Sequence, residues 1–173
     1  PQRRPATITD TDIEAATRII EARFGDADRP LVRSAARTTA SLPALKAFLE
    51  GEAAVRQRGW LAAVAAFERA TQLDTTFALA YFRLAQAEQA STVASPERMY
   101  AAARAARRYA ARLSAADRLR LAAFEAARRG DHDATEAAYR RLLALAPGDV
   151  EAAFGIADLQ FHQNPFRGRS IQE

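Results

Sequence analysis

A regular spacing of small residues is the feature that most constrains the fold of this chain. Ala85 lies 34 residues after Gly51, and Ala157 lies 34 residues after Ala123. The step from Ala85 to Ala123 is 38 residues, so one period has gained about four. Each period is filled by stretches rich in Ala, Leu, Arg and Glu, separated by short polar turns. This pattern predicts one helix after another, arranged as repeated helical units.

The clearest period runs from residue 44 to residue 77. Gly51 and Ala63 are small, as is needed where the two helices of a hairpin cross closely, and Phe67 is placed to fill the space between that hairpin and the next. Gly59 falls in the turn between the helices, where we expect it to relieve backbone strain. Ser41 is expected to cap the first helix.

The order of these residues resembles the tetratricopeptide repeat, with Ala63, Phe67 and Ala70 at the second-helix positions and Thr75 in place of the closing proline. Residues 38–170 resemble the tetratricopeptide region of large bacterial serine/threonine kinases and winged-helix transcriptional regulators. The resemblance implies an all-α, right-handed α-α solenoid of about three and a half helix-turn-helix units. It also implies a non-catalytic protein-protein interaction scaffold, which would be the sensory or partner-binding part of a larger bacterial signalling protein.

The sequence predicts two parts, residues 1–40 and residues 41–173. The first holds an amphipathic helix at 9–24 and then a segment, 31–41, that we expect to be extended or irregular. The second is the repeat region, with units at about 44–77, 78–115, 116–149 and a partial unit at 150–173. The chain starts at Pro1 and ends on a stretch that resembles a helix start, so we interpret it as part of a longer protein.

In this family the first helix of each unit lines a concave groove, and counting from the small sites gives the candidate partner-binding residues. They are Leu45, Phe48, Glu52 and Arg56 in the first unit, Leu79, Phe82, Gln86 and Gln89 in the second, Asp117, Arg120, Phe124 and Arg128 in the third, and Glu151, Phe154 and Asp158 in the fourth. We expect them to hold a peptide or helix by apolar contacts, with the arginines attracting an acidic flank.

The three phenylalanines in equivalent positions, Phe48, Phe82 and Phe154, leave two alternatives open. Either they contact a ligand in the groove, or they pack against neighbouring helices as part of the core. In the first case Phe82→Ala and Arg120→Glu would weaken partner capture and leave thermal stability nearly unchanged.

A cluster of acidic residues surrounds one of the two histidines, at Asp131, His132, Asp133 and Glu136. It could hold a divalent metal in an enzyme. The alternative is a turn between two helices, in which Asp131 and Asp133 cap a helix N-terminus. Gly130-Asp131, Tyr139 and Pro147 match the repeat pattern here, so we prefer the turn.

Arginines are concentrated at residues 96–130, which hold nine of them. Arg104, Arg108 and Arg112 follow one another at four-residue intervals, which places them on one helix face. This segment could bind nucleic acid or an acidic partner, but its arginines are spread around helices without an interleaved aromatic platform, so the interaction-scaffold interpretation is preferred.

Several classes of protein are excluded or disfavoured by composition. The chain has no cysteine, which excludes disulfides, thiolate metal sites and a cysteine nucleophile. There is no phosphate-binding loop, zinc-protease motif or kinase signature, so we expect no enzymatic activity, no cofactor and no small-molecule substrate. No run of eighteen apolar residues is present. We expect a cytoplasmic location, or an extracytoplasmic one if the parent protein has a membrane span upstream.

Overall fold

The computed structural model describes residues 11, 29–93 and 95–162, and within these residues the fold is all-α, with no strand. The helix predicted at 9–24 falls outside this part of the chain apart from Thr11. Eight α-helices are described: α1 Arg29–Thr38, α2 Leu42–Arg56, α3 Trp60–Leu73, α4 Ala78–Ala90, α5 Pro96–Arg108, α6 Ala115–Arg128, α7 His132–Leu145 and α8 Val150–His162. A short 3-10 turn, Ala110–Arg112, follows α5.

The helices form two compact units, Pro1–Leu113 and Ser114–Glu173. In the first unit α2 packs against α3, α3 against α4, and α4 against α5. In the second unit α6 packs against α7, and α7 against α8. Each of the three complete repeat units predicted from the sequence therefore holds two helices, and the fourth repeat unit begins with α8. The stacking of these pairs into a right-handed solenoid stays a prediction, as does the division of the chain at residues 40/41.

Helix α1 corrects the prediction that residues 31–41 are extended or irregular. Ala35, Ala36 and Thr38 are buried, so this short helix has a side that packs on the protein, and it contacts α2 and α4. The hydroxyl of Thr38 donates to the carbonyl oxygen of Ala35 at 2.8 Å, which satisfies a polar group that burial would otherwise penalise. Burial against two helices thus stabilises a segment with modest helix propensity.

The turns around the first hairpin agree with the sequence in part. The Ser41 hydroxyl accepts a hydrogen bond from the Ala44 amide at 3.3 Å, which confirms the predicted cap of α2. In the turn between α2 and α3, however, the left-handed backbone conformation falls on Arg58, with φ of 55°, and Gly59 has a negative φ. The prediction that Gly59 relieves strain is therefore wrong by one residue.

The core of the first unit is built on a close contact between α2 and α3. A Cβ atom added to Gly51 would lie 2.5 Å from Cε1 of Phe67, so only glycine fits under this ring. The Phe67 ring also contacts Phe48, with centroids 5.6 Å apart, and Phe48 lies 5.2 Å from Phe77 at the start of α4. The predicted close crossing at Gly51 is confirmed, and Phe48, which contacts both Phe67 and Phe77, joins this hairpin to the helix that follows.

A half-buried carboxylate, that of Asp74, joins the end of α1 to the turn between α3 and α4. Asp74 accepts hydrogen bonds from the Thr39 hydroxyl at 2.6 Å, and from the Thr76 amide and hydroxyl at 2.9 and 2.7 Å. Burial alone would raise the pKa of Asp74. The hydrogen bonds from Thr39 and Thr76, with the charge of Arg112, outweigh burial and hold the pKa below its ordinary value.

We expect Gly51→Ala to destabilise the protein by roughly 1–3 kcal/mol, because the added methyl group overlaps the Phe67 ring. The sign is informative, since Gly→Ala inside a helix ordinarily stabilises it by about 1 kcal/mol. Gly148→Ala is the matched control, because a Cβ there meets nothing within 4 Å. Urea unfolding followed by circular dichroism measures both; a Gly51→Ala protein as stable as the parent would show that the helices do not cross closely here.

We also expect Asp74 to make stability depend on acid pH. Its folded pKa is lower than its ordinary value of 3.8. Its contribution is therefore fully present above that ordinary value, and is lost as pH falls through the folded pKa. The stability difference between the parent and Asp74→Asn should shrink over this range when urea unfolding is measured from pH 7 downward. Thr39→Val should move the loss to higher pH; a difference independent of pH would contradict the assignment.

Candidate functional site

The three equivalent phenylalanines do not share one environment. Phe48 and Phe82 are 0% and 1% exposed, whereas Phe154 is 72% exposed. For the first two, the core alternative is the one that the structure supports, because Phe48 packs against Phe67 and Phe77, and Phe82 is almost completely inaccessible to solvent. Phe48 and Phe82 are therefore removed from the candidate ligand contacts, and so are their buried neighbours Leu45 and Leu79. Phe154 remains.

Some of the polar candidates in the compact unit Pro1–Leu113 pack between helices, and others lie on the surface. Glu52 is buried and forms an ion pair with Arg83 of α4 at 2.9 Å. Arg83 also donates to Gln86 at 2.8 Å. Glu52 and Gln86 therefore help to hold α2 against α4, while Arg56 and Gln89 are exposed near the C-terminal ends of their helices.

Arg120, which was expected to attract an acidic ligand, is engaged by carboxylates of its own unit. It binds Asp117 at 2.9 Å, binds Asp149, and approaches Glu151 to 3.7 Å. Burial lowers the pKa of Arg120, and these three carboxylates raise it by more, so the pKa lies above its ordinary value. Asp149 also accepts from the Ala152 amide at 2.9 Å and thereby caps α8. Arg120 thus joins α6 to the start of α8.

The other three candidates on α6 differ in exposure. Phe124 is half-buried and Arg128 is exposed in the last turn of the helix. Asp117 is buried and accepts from Ser114 at 2.6 Å, so it belongs to the start of α6 rather than to a surface.

The acidic cluster around His132 is a helix start. Asp131 is the N-cap of α7 and its carboxylate accepts from the Ala134 amide at 3.0 Å, which confirms the predicted cap. Gly130 precedes it with φ of 70°, a conformation that favours glycine. Glu136 points to Arg140, 2.8 Å away in the same helix. In the part of the chain that the structure describes, no group of three or more His, Cys, Asp or Glu side chains could hold a metal ion.

The arginines of residues 96–130 do not form one continuous stripe. Arg104 and Arg108 are exposed on α5, but the α-helix ends at Arg108. Arg112 lies in the 3-10 turn and donates to the Thr76 hydroxyl at 2.7 Å. Arg98 binds Glu68 of α3 and, at 2.7 Å, the buried Glu88 of α4. Arg98, Arg112 and, as described above, Arg120 are thus engaged in contacts within the protein, which weakens the case for a phosphate-binding surface.

Among the described residues of the second unit, the large apolar side chains with the highest exposed fractions lie on α8. Val150, Phe154 and Phe161 are 80%, 72% and 65% exposed. Their spacing of four and seven residues, with the exposed Ala157 between the two rings, places all four on one helix face. We call these residues the α8 face. It presents two aromatic rings separated by a small residue to solvent.

The opposite side of α8 packs on α7. Ala152 and Leu159 are buried, and a Cβ on Gly155 would overlap the Tyr139 ring. Helix α8 is therefore apolar on two sides, one covered by its own unit and one exposed. Sequence analysis found Phe154 and Asp158 but missed Val150, Phe161 and Gly155. The missed signal was a helix with apolar residues all around, a pattern typical of a helix with two packed faces.

Comparison with known proteins does not add an identification. No family model matches this sequence, and no curated protein matches it. Among the described residues, no helix is long and apolar enough to cross a membrane.

We expect Arg120→Glu to lower stability, contrary to the sequence-based expectation that it leaves stability unchanged. It would replace a cation between Asp117 and Asp149 by a fourth carboxylate. Arg120→Gln should lower the free energy of unfolding by roughly 1–3 kcal/mol, and Arg120→Glu should lower it more. The reason is that the buried Asp149 carboxylate would lose its cation while water could not reach it. Arg69→Gln is the control, since the side chains of Arg69 and its partner Glu50 are 53% and 54% exposed. Equal urea midpoints for Arg120→Glu and the parent would refute the structural role.

Proposed function

We propose that this chain is a non-catalytic interaction module that binds an amphipathic helix of a partner protein on the α8 face. The observation that carries the proposal is the exposure of Phe154 and Phe161 on one side of a helix whose other side is packed. Isolated exposed apolar residues are ordinary on protein surfaces, whereas a contiguous apolar stripe is typical of an interaction site.

A helix is the occupant whose shape best fits this stripe. Phe154 and Ala157 stand at the repeat positions of Phe48 and Gly51, three residues apart in each case. On α2 those positions are covered by α3, whose Phe67 ring lies directly on Gly51. The same pattern of a ring beside a small residue on α8 therefore supports binding of a helix that places a large apolar side chain over Ala157.

The wider context follows from the resemblance to tetratricopeptide regions. On that basis we propose a right-handed helical scaffold within a larger bacterial signalling protein, in a cytoplasmic setting. The cap formed by Asp131 and the contacts of Arg98 and Arg112 favour this function over a metal enzyme at residues 131–136 and over nucleic-acid binding through residues 96–130.

The test uses a synthetic, dye-labelled helical peptide with one leucine and alanine stripe and glutamine at every other position. We expect Phe154→Ser to weaken its binding by about tenfold or more, because a ring that becomes buried in a complex contributes about 1.5–3 kcal/mol. Fluorescence anisotropy measures the affinity. Val93→Ser is the matched control, since Val93 is 68% exposed but lies far from α8 in sequence, in the turn after α4.

Thermal stability separates the surface ring from a core ring. Phe154→Ser should melt close to the parent protein, whereas Phe82→Ala removes a ring that is 1% exposed and should cost about 3–5 kcal/mol. Peptide binding that is equally strong in the parent and in Phe154→Ser, or equally weakened by Val93→Ser, would contradict the proposed site.

A further inference from the structure

The α8 face has one acidic edge. Glu151 lies three residues before Phe154 and Asp158 lies four residues after it, so both carboxylates flank this ring on the same side of the helix. Their side chains are 47% and 53% exposed. The other edge is formed by Ala153, which is exposed, and the half-buried Gln160. Helix α8 contains no lysine or arginine.

Among the described residues, the ion pairs of these two carboxylates only partly compensate their negative charge. Arg120 binds Asp117 and Asp149 and reaches Glu151 only at 3.7 Å. Asp158 has the His162 ring 3.0 Å away, which carries charge only when it is protonated.

Tyr139, which lies under α8, experiences the same field. Its pKa is raised by burial first, and then by the negative charges of Glu151, Asp149 and Asp158. The exposed Glu151 and Asp158 side chains therefore make this edge of α8 electronegative, in a chain whose net charge is +4.

We propose that the helix bound by the α8 face is basic, with arginine or lysine along the edge that meets Glu151 and Asp158. This inference rests on the proposed function and specifies its partner. Apolar contacts with Phe154 and Phe161 would supply most of the affinity, and the charged edge would fix the orientation of the bound helix and exclude acidic helices.

A second copy of this chain fits the same surface less well. Antiparallel pairing of two α8 helices would bring the two acidic edges together, and like charges at that distance oppose association. Among the described helices the most basic are α1, with three arginines and no acidic residue, and α5, with four arginines and one glutamate. Neither offers an apolar face to another copy, because Ala35 and Ala36 of α1 and Met99, Ala102, Ala103 and Ala106 of α5 are buried in their own unit. The charge pattern therefore points to a different protein as the partner.

The experiment uses the full 173-residue chain and two more versions of the labelled peptide. They keep the same apolar stripe and carry either arginine or glutamate along one edge. We expect the arginine-edge peptide to bind about five-fold or more tightly than the glutamate-edge peptide at about 50 mM salt, since exposed ion pairs each contribute modestly. The preference should shrink at about 500 mM salt, where screening is strong.

Charge-removing variants identify the edge responsible. Glu151→Gln combined with Asp158→Asn should abolish the preference for the arginine-edge peptide while the glutamine peptide still binds. Glu50→Gln, which removes an exposed carboxylate on α2, is the control and should leave the preference unchanged. A preference that survives the double substitution would overturn the assignment of this edge.

The outcomes distinguish this inference from the proposed function. If all three peptides bind equally well and Phe154→Ser weakens them all, the function stands and the basic partner is wrong. If no peptide shows dependence on Phe154, the α8 face is not the binding site and both proposals fail. If sedimentation shows self-association that Phe154→Ser removes, the occupant is a second copy, which overturns the inference of a basic partner.

Discussion

The close approach of helices beneath an aromatic ring is the contact on which both units depend. In the first unit Phe67 lies on Gly51 within one hairpin, and in the second Tyr139 lies on Gly155 of the following helix. Because glycine has no side chain, the ring lies directly against the backbone of the neighbouring helix. The two helices therefore approach closely enough for the surrounding alanines to come into contact. An alanine-rich sequence builds its core this way, because each alanine buries little surface by itself.

Ion pairs between helices add a second constraint, and they explain why several predicted ligand contacts are structural. Glu52 binds Arg83 across α2 and α4, Glu88 binds Arg98 across α4 and α5, and Arg120 binds Asp149 at the start of α8. In each pair one carboxylate is nearly inaccessible to solvent, so it requires its cation. The first helices of the hairpins thus use charged residues for packing at positions where the resemblance predicted a groove.

The sequence predicted the elements better than it predicted their exposure. Spacing and capping residues located the helices and the helix starts at Ser41 and Asp131, because these depend on local hydrogen bonds. It could not separate Phe48 from Phe154, which share a repeat position, because exposure depends on which helix covers that position. Helix α1 was missed for a related reason, since its burial against α2 and α4 is a property of the folded chain and not of its own residues.

Helix α8 carries the proposed binding site on one side and the packing contacts with α7 on the other, so binding and packing are linked. This helix has 13 residues, a length at which an isolated helix is marginal in water, so it relies on its cap by Asp149 and on Tyr139 and the other contacts with α7. A partner helix on the exposed side would bind only the packed, helical form and would therefore stabilise it in proportion to occupancy. Linkage is reciprocal, so any change that loosens Arg120 from Asp149 also reduces the population of α8 that is ready to bind. The ion pair at the start of the helix therefore supports the proposed binding site from outside the α8 face.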